Sequence, residues 1–246
     1  MSAYETVHRV ARTVDKRVLS EALSRATTTG KSGVLVFDLD STLLDNRPRQ
    51  VAILRQFGVA HHIAALSKSE PGHWVSWDLR DAMRNAGVDG ASIERLAEQA
   101  KDYWRERFFT SEYCRLDEAV AGARDYLHAV KATGARIAYC TGRHEAMRPG
   151  TVDNFIRLGM PVPDQVSVDL LMKPTFAQDD DDWKVMAYDR LRALGHVLAA
   201  FDNEPTHING YRAAFPDALM IHLATDHSGR PVTLADGIVS VEDFQI

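Results

Sequence analysis

Residues 34–42 read Val34-Leu35-Val36-Phe37-Asp38-Leu39-Asp40-Ser41-Thr42: an apolar run that stops at two acids in i and i+2 positions. An unbroken apolar tetrad suits a strand buried on both faces. In open α/β sheets the reactive groups collect beyond the carboxyl ends of the strands. Asp38 and Asp40 therefore stand where chemistry is expected.

Downstream of this stretch the pattern divides. Residues 49–113 look helical: Arg49 to Phe57 ended by Gly58, Trp77 to Asn85 ended by Gly87, and Ser92 to Phe109. From Leu116 strands and helices alternate. Asp117 to Thr133 reads as a helix ended by Gly134, Arg136 to Cys140 as a strand, and Thr151 to Leu158 as a helix ended by Gly159. Val166 to Met172 reads as a strand, Asp182 to Leu194 as a helix ended by Gly195, and His196 to Phe201 as a strand. Ile208 to Ala214 is a helix, Ala218 to Leu223 a strand, and Gly237 to Val241 a short last one. This alternation predicts an α/β fold, a Rossmann-like parallel sheet with helices on both faces. The helical block is an insertion between its first two strands. Upstream, residues 3–26 carry Val7, Val10, Val14, Val18 and Ala22 at helical spacing, and Thr27 to Gly33 reads as a breaker-rich linker. The expected division is an N-terminal helix and linker (1–32), a core (33–44 and 117–246) and a small α-helical domain (45–116).

The chain has 246 residues, a formal charge of -5 and 45% hydrophobic residues, an ordinary globular composition that offers no basic face for nonspecific nucleic-acid binding. No apolar run approaches the ~18 residues of a membrane span, and the charged first twenty residues do not form a signal peptide. Cys114 and Cys140 form neither a disulfide framework nor a paired metal motif, so a cytoplasmic setting is the expectation. Gly30-Lys31-Ser32 imitates the tail of a phosphate-binding loop, but Arg25 stands where the first glycine belongs and a strand follows instead of a helix.

Three strand ends carry groups that can cooperate: Asp38 and Asp40, then Thr141, then Asp202. Lys184 lies at the start of the helix that feeds the Asp202 strand. One carboxylate can attack phosphorus and form an aspartyl-phosphate. Its neighbour can protonate the leaving oxygen and then deprotonate water. Mg²⁺, a hard cation bound by one or two carboxylates plus waters and phosphate oxygens, suits such clustered acids. Thr141 and the amides after it can hold phosphate oxygens, and a lysine offsets the developing charge. Cys140, ending an apolar strand, reads as a small core residue, and Asp179 to Asp182 as the cap of the next helix. His207 and His222 show no evident partners.

VLVFDLDST (34–42) resembles the first motif of the haloacid dehalogenase (HAD) superfamily, a hydrophobic strand followed by D-x-D-x-T. IAYCTGR (137–143) resembles its second motif, Lys184 its third, and VLAAFDNE (197–204) its fourth. The resemblance covers residues 34–44 and about 117–225. It implies that Asp38 is nucleophile and metal ligand, and that Asp40 is general acid/base with its carbonyl on the metal. Thr42 would orient Asp40, Thr141 and the Gly142 amide would bind the phosphoryl group, Lys184 would stabilise it, and Asp202 would complete a Mg²⁺ shell. It further implies a mobile helical cap at 45–116 and a phosphatase, since members with the second Asp are typically phosphatases.

This sequence departs from the pattern in places. Ser41 replaces the usual glycine, and the fourth motif reads Asp202-Asn203-Glu204, so a second carboxylate could come only from Glu204. Lys173 competes with Lys184 for the third motif, but it precedes Pro174 in an apparent loop. Arg143 follows the phosphate-binding pair, within a stretch that resembles members acting on nucleotide or polynucleotide phosphate ends. His73, Trp74, Trp77, Arg80 and Arg84 are candidate specificity residues, with cap core as the plain alternative for the tryptophans. The expected activity is Mg²⁺-dependent hydrolysis of a small phosphorylated metabolite or nucleotide, with no membrane, nucleic-acid or protein partner indicated. Phosphotransfer to another hydroxyl, and ligand binding without turnover, are the alternatives.

Overall fold

The apolar tetrad becomes the central strand of a six-stranded parallel sheet. The computed structural model describes residues 14–246; the expected helical segment at residues 3–13 lies outside them. The first described helix, α1 (Arg17–Thr29), is followed by a 3₁₀ turn and β1 (Gly33–Phe37). The short strand β2 (Leu44–Asp45) leads into α2 (Arg47–Ala60), α3 (Ala64–Ser67), α4 (Leu79–Asn85), α5 (Gly90–Phe108) and α6 (Ser111–Cys114). The chain returns through β3 (Glu118–Ala119), antiparallel to β2, to α7 (Ala123–Ala132), β4 (Arg136–His144), α8 (Arg148–Leu158), β5 (Val168–Lys173) and α9 (Asp180–Leu194). It ends in β6 (His196–Asp202), α10 (Pro205–Ala214), β7 (Leu219–Leu223) and β8 (Ile238–Val241). The sheet order is β5-β4-β1-β6-β7-β8. The α/β expectation holds.

Every residue of β1 is buried, because its alternate side chains feed two cores. Leu35 and Phe37 join Ile137, Tyr139 and Phe201 under α1, α7 and α8. Val34 and Val36 join Ala138, Cys140 and Ala200 under α9 and α10. Phe37 stacks on Phe201 at 4.5 Å between ring centroids, which fastens the two central strands at the end that carries the acids. Helices α2 to α5 gather round a third apolar cluster of their own, with Phe57, Leu66, Trp74, Met83 and Leu96 inside. Among the described residues no helix is long and apolar enough to cross a membrane.

Several expected boundaries move for identifiable reasons. Helix α1 starts only at Arg17, since Val14 pairs with Ser240 at the sheet edge; its C-terminal end absorbs part of the expected linker. Helix α2 runs through Gly58 instead of ending there, because that glycine admits the backbone of Ser67 against it. The expected helix from Asp117 begins only at Ala123: residues 118–119 are spent on the antiparallel β2–β3 pair. Strand β4 continues past Cys140 to His144, with its register against β5 broken between Thr141 and His144.

Candidate active site

At the carboxyl end of the sheet, Asp38 follows β1 and Asp202 closes β6. Helix α9 starts with Asp179 accepting hydrogen bonds from the amides of Asp181 and Asp182, and Asp180, Asp181 and Asp182 occupy its positive end. This cap sets Lys184 in the first turns, facing the sheet. Its ammonium donates to Asp38 Oδ1 at 2.7 Å, to Asp202 Oδ2 at 2.8 Å and to the carbonyl of Cys140 at 2.8 Å. Asp38 and Asp202 therefore converge on one nitrogen, joined there by the carbonyl of Cys140, the residue before Thr141. Lys173 does not take part: it donates to Asp180.

Burial is the dominant force on Asp38 and pushes its carboxyl up to about 7, against the pull of Lys184. Burial works on Asp202 too, but there Lys184 and His207 win and hold it well below the usual carboxylate range. Asp202 Oδ1 also accepts the Glu204 amide at 2.9 Å. His207 sits with Nδ1 3.5 Å from Asp202 and Nε2 3.0 Å from Asp181, so it has the partners its sequence context does not reveal. His222 lies between Ser240 and the carbonyl of Asn203, and burial drives it down to about 4.

Asp40 stands in a different network. Arg143 grips it through Nε (2.9 Å to Oδ2) and Nη2 (2.7 Å to Oδ1), Arg49 reaches Oδ1 at 2.8 Å, and Asn46 donates at 2.8 Å. The buried Asp117 closes the ring, 2.9 Å from Arg49 Nε and 2.5 Å from Arg143 Nη2. The break in register on β4 turns Arg143 toward these acids, a common use of an irregularity beside a site. Burial opposes ionisation of Asp40, yet Arg143 and then Arg49 hold its carboxyl well below the usual range. Asp117, wholly buried, is shifted upward by desolvation in spite of the same arginines. In this arrangement Asp40 is a carboxylate, the form of a base and not of an acid. Arg49 and Asp117 are the participants that the sequence reading missed.

Thr42 does not orient Asp40. Its hydroxyl donates to Asn203 Oδ1 and accepts from the Asn203 amide, both at 3.1 Å, tying the first strand end to the fourth. Ser41 adopts φ 57°, the left-handed region where a glycine is at ease. Thr141 is buried, its hydroxyl accepting the Arg143 amide. Glu204 is engaged by Ser228, which donates to it through both amide and hydroxyl at 2.9 Å, and lies 3.4 Å from Arg230.

A cavity of about 410 Å³ opens over these groups, with Asp38, Asp40, Gly142, Arg143, Asn203 and His207 in its lining. This is an ordinary size for a small-molecule site. Of the candidate specificity residues only Trp77 reaches this cavity. Trp74 is core, Arg80 pairs with Glu98, Arg84 pairs with Asp81, and His73 accepts the Glu70 amide.

The donor set suits Mg²⁺. Lys184 takes only one oxygen of Asp38 and one of Asp202, which leaves a second hard oxygen on each carboxyl. Among the described residues no three His, Cys, Asp or Glu side chains cluster as a ready-made cage. Mg²⁺ does not require one, because it keeps several waters and takes ligand phosphate oxygens.

No family model and no curated protein sequence matches the chain. Solved structures do. The protein tyrosine kinase A of Mycobacterium tuberculosis is similar with a TM-score of 0.57 and 18% identity, over 85% of this chain and 92% of that one. A Clostridium difficile protein provisionally assigned as a phosphatase gives a TM-score of 0.57 at 14% identity, over 87% and 95%. A haloacid dehalogenase-like family hydrolase from Streptococcus pneumoniae gives 0.51 at 10% identity, over 87% and 94%. At such identities the likeness is one of fold. Taken with the sheet order and the strand ends that meet at Lys184, it identifies the chain as a protein of the haloacid dehalogenase-like fold.

Proposed function

We propose that the protein is a Mg²⁺-dependent phosphatase that hydrolyses a small phosphomonoester through an aspartyl-phosphate on Asp38. The observation that carries this reading is the buried Lys184 ammonium held between Asp38 and Asp202, with Asp38 lining a ligand-sized cavity. A carboxylate oxygen of Asp38 attacks phosphorus as the ester P–O bond breaks, and the leaving oxygen takes the proton that Asp40 carries into this step. Water then attacks the acyl phosphate, releasing inorganic phosphate and restoring Asp38. Lys184 offsets charge on the nucleophile, while Thr141 and the Gly142 amide, near the carboxyl end of the sheet, would bind the phosphoryl oxygens. Asp40, left ionised in its arginine clamp, then takes the proton of the hydrolytic water. To protonate the leaving oxygen it must first gain a proton of its own, against Arg143 and Arg49. Asp38, Asp202 and the Asp40 carbonyl would hold Mg²⁺, which supplies neutralising charge to the phosphoryl oxygens when bound. The helical block, residues 45–116 by the sequence division, serves as a cap that keeps bulk water from the transfer.

The test is phosphate release from sugar phosphates, nucleotides and p-nitrophenyl phosphate, with and without Mg²⁺. Turnover that needs Mg²⁺ and is lost in Asp38→Asn is the expected result. Equal turnover in that variant defeats the reading. Following the phosphoryl group by ³¹P NMR separates hydrolysis from transfer to a second hydroxyl, and binding without turnover of any compound would leave a non-catalytic ligand-binding protein.

A further inference from the structure

The wall of the cavity opposite the acids is aromatic. Trp77, Trp104, Phe108 and Phe109 line the same space as Asp38 and Asp40. Trp104 stacks on Phe108 at 4.6 Å, Trp77 meets Phe108 edge-on at 5.7 Å, and Phe109 meets Trp104 at 5.5 Å. Phe108 is itself backed by the Arg49 guanidinium, 3.8 Å from the ring centroid, so the wall is braced by the ring of charges that holds Asp40. These rings do not belong to the hydrophobic centre of the helical block: Trp77, Phe108 and Phe109 stand outside that cluster, and Trp104 only packs against its edge. Trp77, Trp104 and Phe109 keep part of their surface exposed. The Trp104 indole N–H is shielded from water and has no hydrogen-bond acceptor among the described residues, a cost that native structures ordinarily avoid.

The space continues past the wall. A neighbouring cavity of about 540 Å³ shares Trp77, Trp104, His227 and Ser228 with the first. Its charged lining consists of Asp78, Asp81 and Glu98 against Arg80 and Lys101, and Arg80 already pairs with Glu98. A nucleic-acid strand leaving the site this way would meet more carboxylates than cations, the reverse of what a phosphate backbone needs. The extension favours a compact substrate with no further phosphates.

We propose that the substrate is a small phosphomonoester whose organic part carries a planar aromatic ring, seated against Trp77, Trp104 and Phe109 while its phosphate meets Asp38. This deepens the phosphatase reading and rests on it. The shared chemistry is the flat ring, which a nucleobase or a phenyl group supplies. Ring stacking on protein aromatics is sequence-tolerant and strong enough to change binding by about tenfold or more.

The test compares phenyl phosphate, adenosine 5′-monophosphate and glycerol 3-phosphate as substrates of the wild-type protein. It also compares their binding, and that of inorganic phosphate, to Asp38→Asn by calorimetry and tryptophan fluorescence. The expected result is a KM and a Kd about tenfold lower for one or both ring-bearing compounds, with Trp77→Leu and Trp104→Leu each reducing that preference about fivefold or more. The phenyl and nucleoside arms identify which ring the wall takes. Turnover with no preference for a ring overturns the inference and leaves the phosphatase reading standing. If no compound is turned over, the phosphatase reading falls and the calorimetry still decides: equal affinity for phenyl phosphate and inorganic phosphate overturns the inference. Should a tryptophan variant fail to fold, the wild-type and Asp38→Asn comparisons still separate a ring-binding wall from an inert one.

Discussion

Two ionic clusters sit side by side at the end of one sheet, and they are balanced differently. In the first, Asp38 and Asp202 share the single ammonium of Lys184. In the second, Asp40 and Asp117 face two guanidiniums, Arg49 and Arg143. Both reach the cavity, the first through Asp38 and the second through Asp40 and Arg143. They differ in how the carboxyls are held: around one ammonium Asp38 is raised and Asp202 lowered, while two guanidiniums clamp Asp40 low. A buried charge tolerated without full compensation is a feature of working sites, whereas a closed ring serves to fix geometry.

The sharpest way to break this contrast is to open the closed ring. Arg49→Met should destabilise the protein by about 3–5 kcal/mol in urea unfolding, because it strands Asp117 and part of Asp40 inside. A cost under about 1 kcal/mol would show that the ring is not a structural unit. Next in size, Mg²⁺ at a hundredfold excess over its Kd should stabilise the wild-type protein by about 2.7 kcal/mol, and Asp202→Asn should lose that response. An unaltered response would place the cation elsewhere.

The two clusters also differ in their response to pH. The Asp38 carboxyl is raised from 3.8 to about 7 in the fold. The native state therefore keeps a proton that the unfolded chain has lost, and this contribution, full below about pH 4, disappears as pH rises through 7. Asp40 and Asp202 are lowered, so theirs is present above about pH 4 and lost only on further acidification. His222, lowered to about 4, opposes Asp38 in the middle window, since the unfolded chain takes up its proton first as pH falls. Asp38→Asn in the metal-free protein should therefore remove a fall in stability of up to about 1.4 kcal/mol per pH unit between pH 4 and 7, exposing the His222 slope of opposite sign. Coincident stability–pH curves for variant and wild type would mean that Asp38 is not raised. The smallest expected effect is at the turn between the clusters. Ser41→Gly relieves a left-handed φ of 57° and should stabilise by about 1 kcal/mol in thermal or urea unfolding; a destabilised variant would show that the serine side chain outweighs the strain.

The first cluster was legible in the sequence because each member sits at a strand end or a helix start. Asp38, Asp202 and Lys184 each carry a local pattern, and strand order does the rest. The second cluster was not. Arg49 and Asp117 bear no local mark that separates them from surface charges, and their pairing depends on two short strands, Leu44–Asp45 and Glu118–Ala119, that lie far apart in the chain. Thr42 shows the limit of transferring a role by resemblance: its neighbour in sequence is Asp40, but its hydrogen-bond partner is Asn203. Gly58 read as a stop because glycine often ends a helix, and only the packing of α3 shows why it is wanted inside one. The aromatic wall was hidden for a related reason, since Trp104 and Phe108 recur at the spacing of an ordinary core stripe.

The contact between α6 and α8 has a mechanical consequence. Gly150 donates its amide to the Ser111 hydroxyl at 2.5 Å, and any β-carbon on it would overlap the Ser111 carbonyl. The outgoing crossing of the chain is tied down through Arg49 and the returning one through this bare stretch of backbone. A helical block tied at both crossings has little freedom to swing as one rigid piece. The segment between α2 and α4 shares that restraint, with Leu66 and Trp74 in the apolar cluster and Arg55 donating to the Ser69 carbonyl.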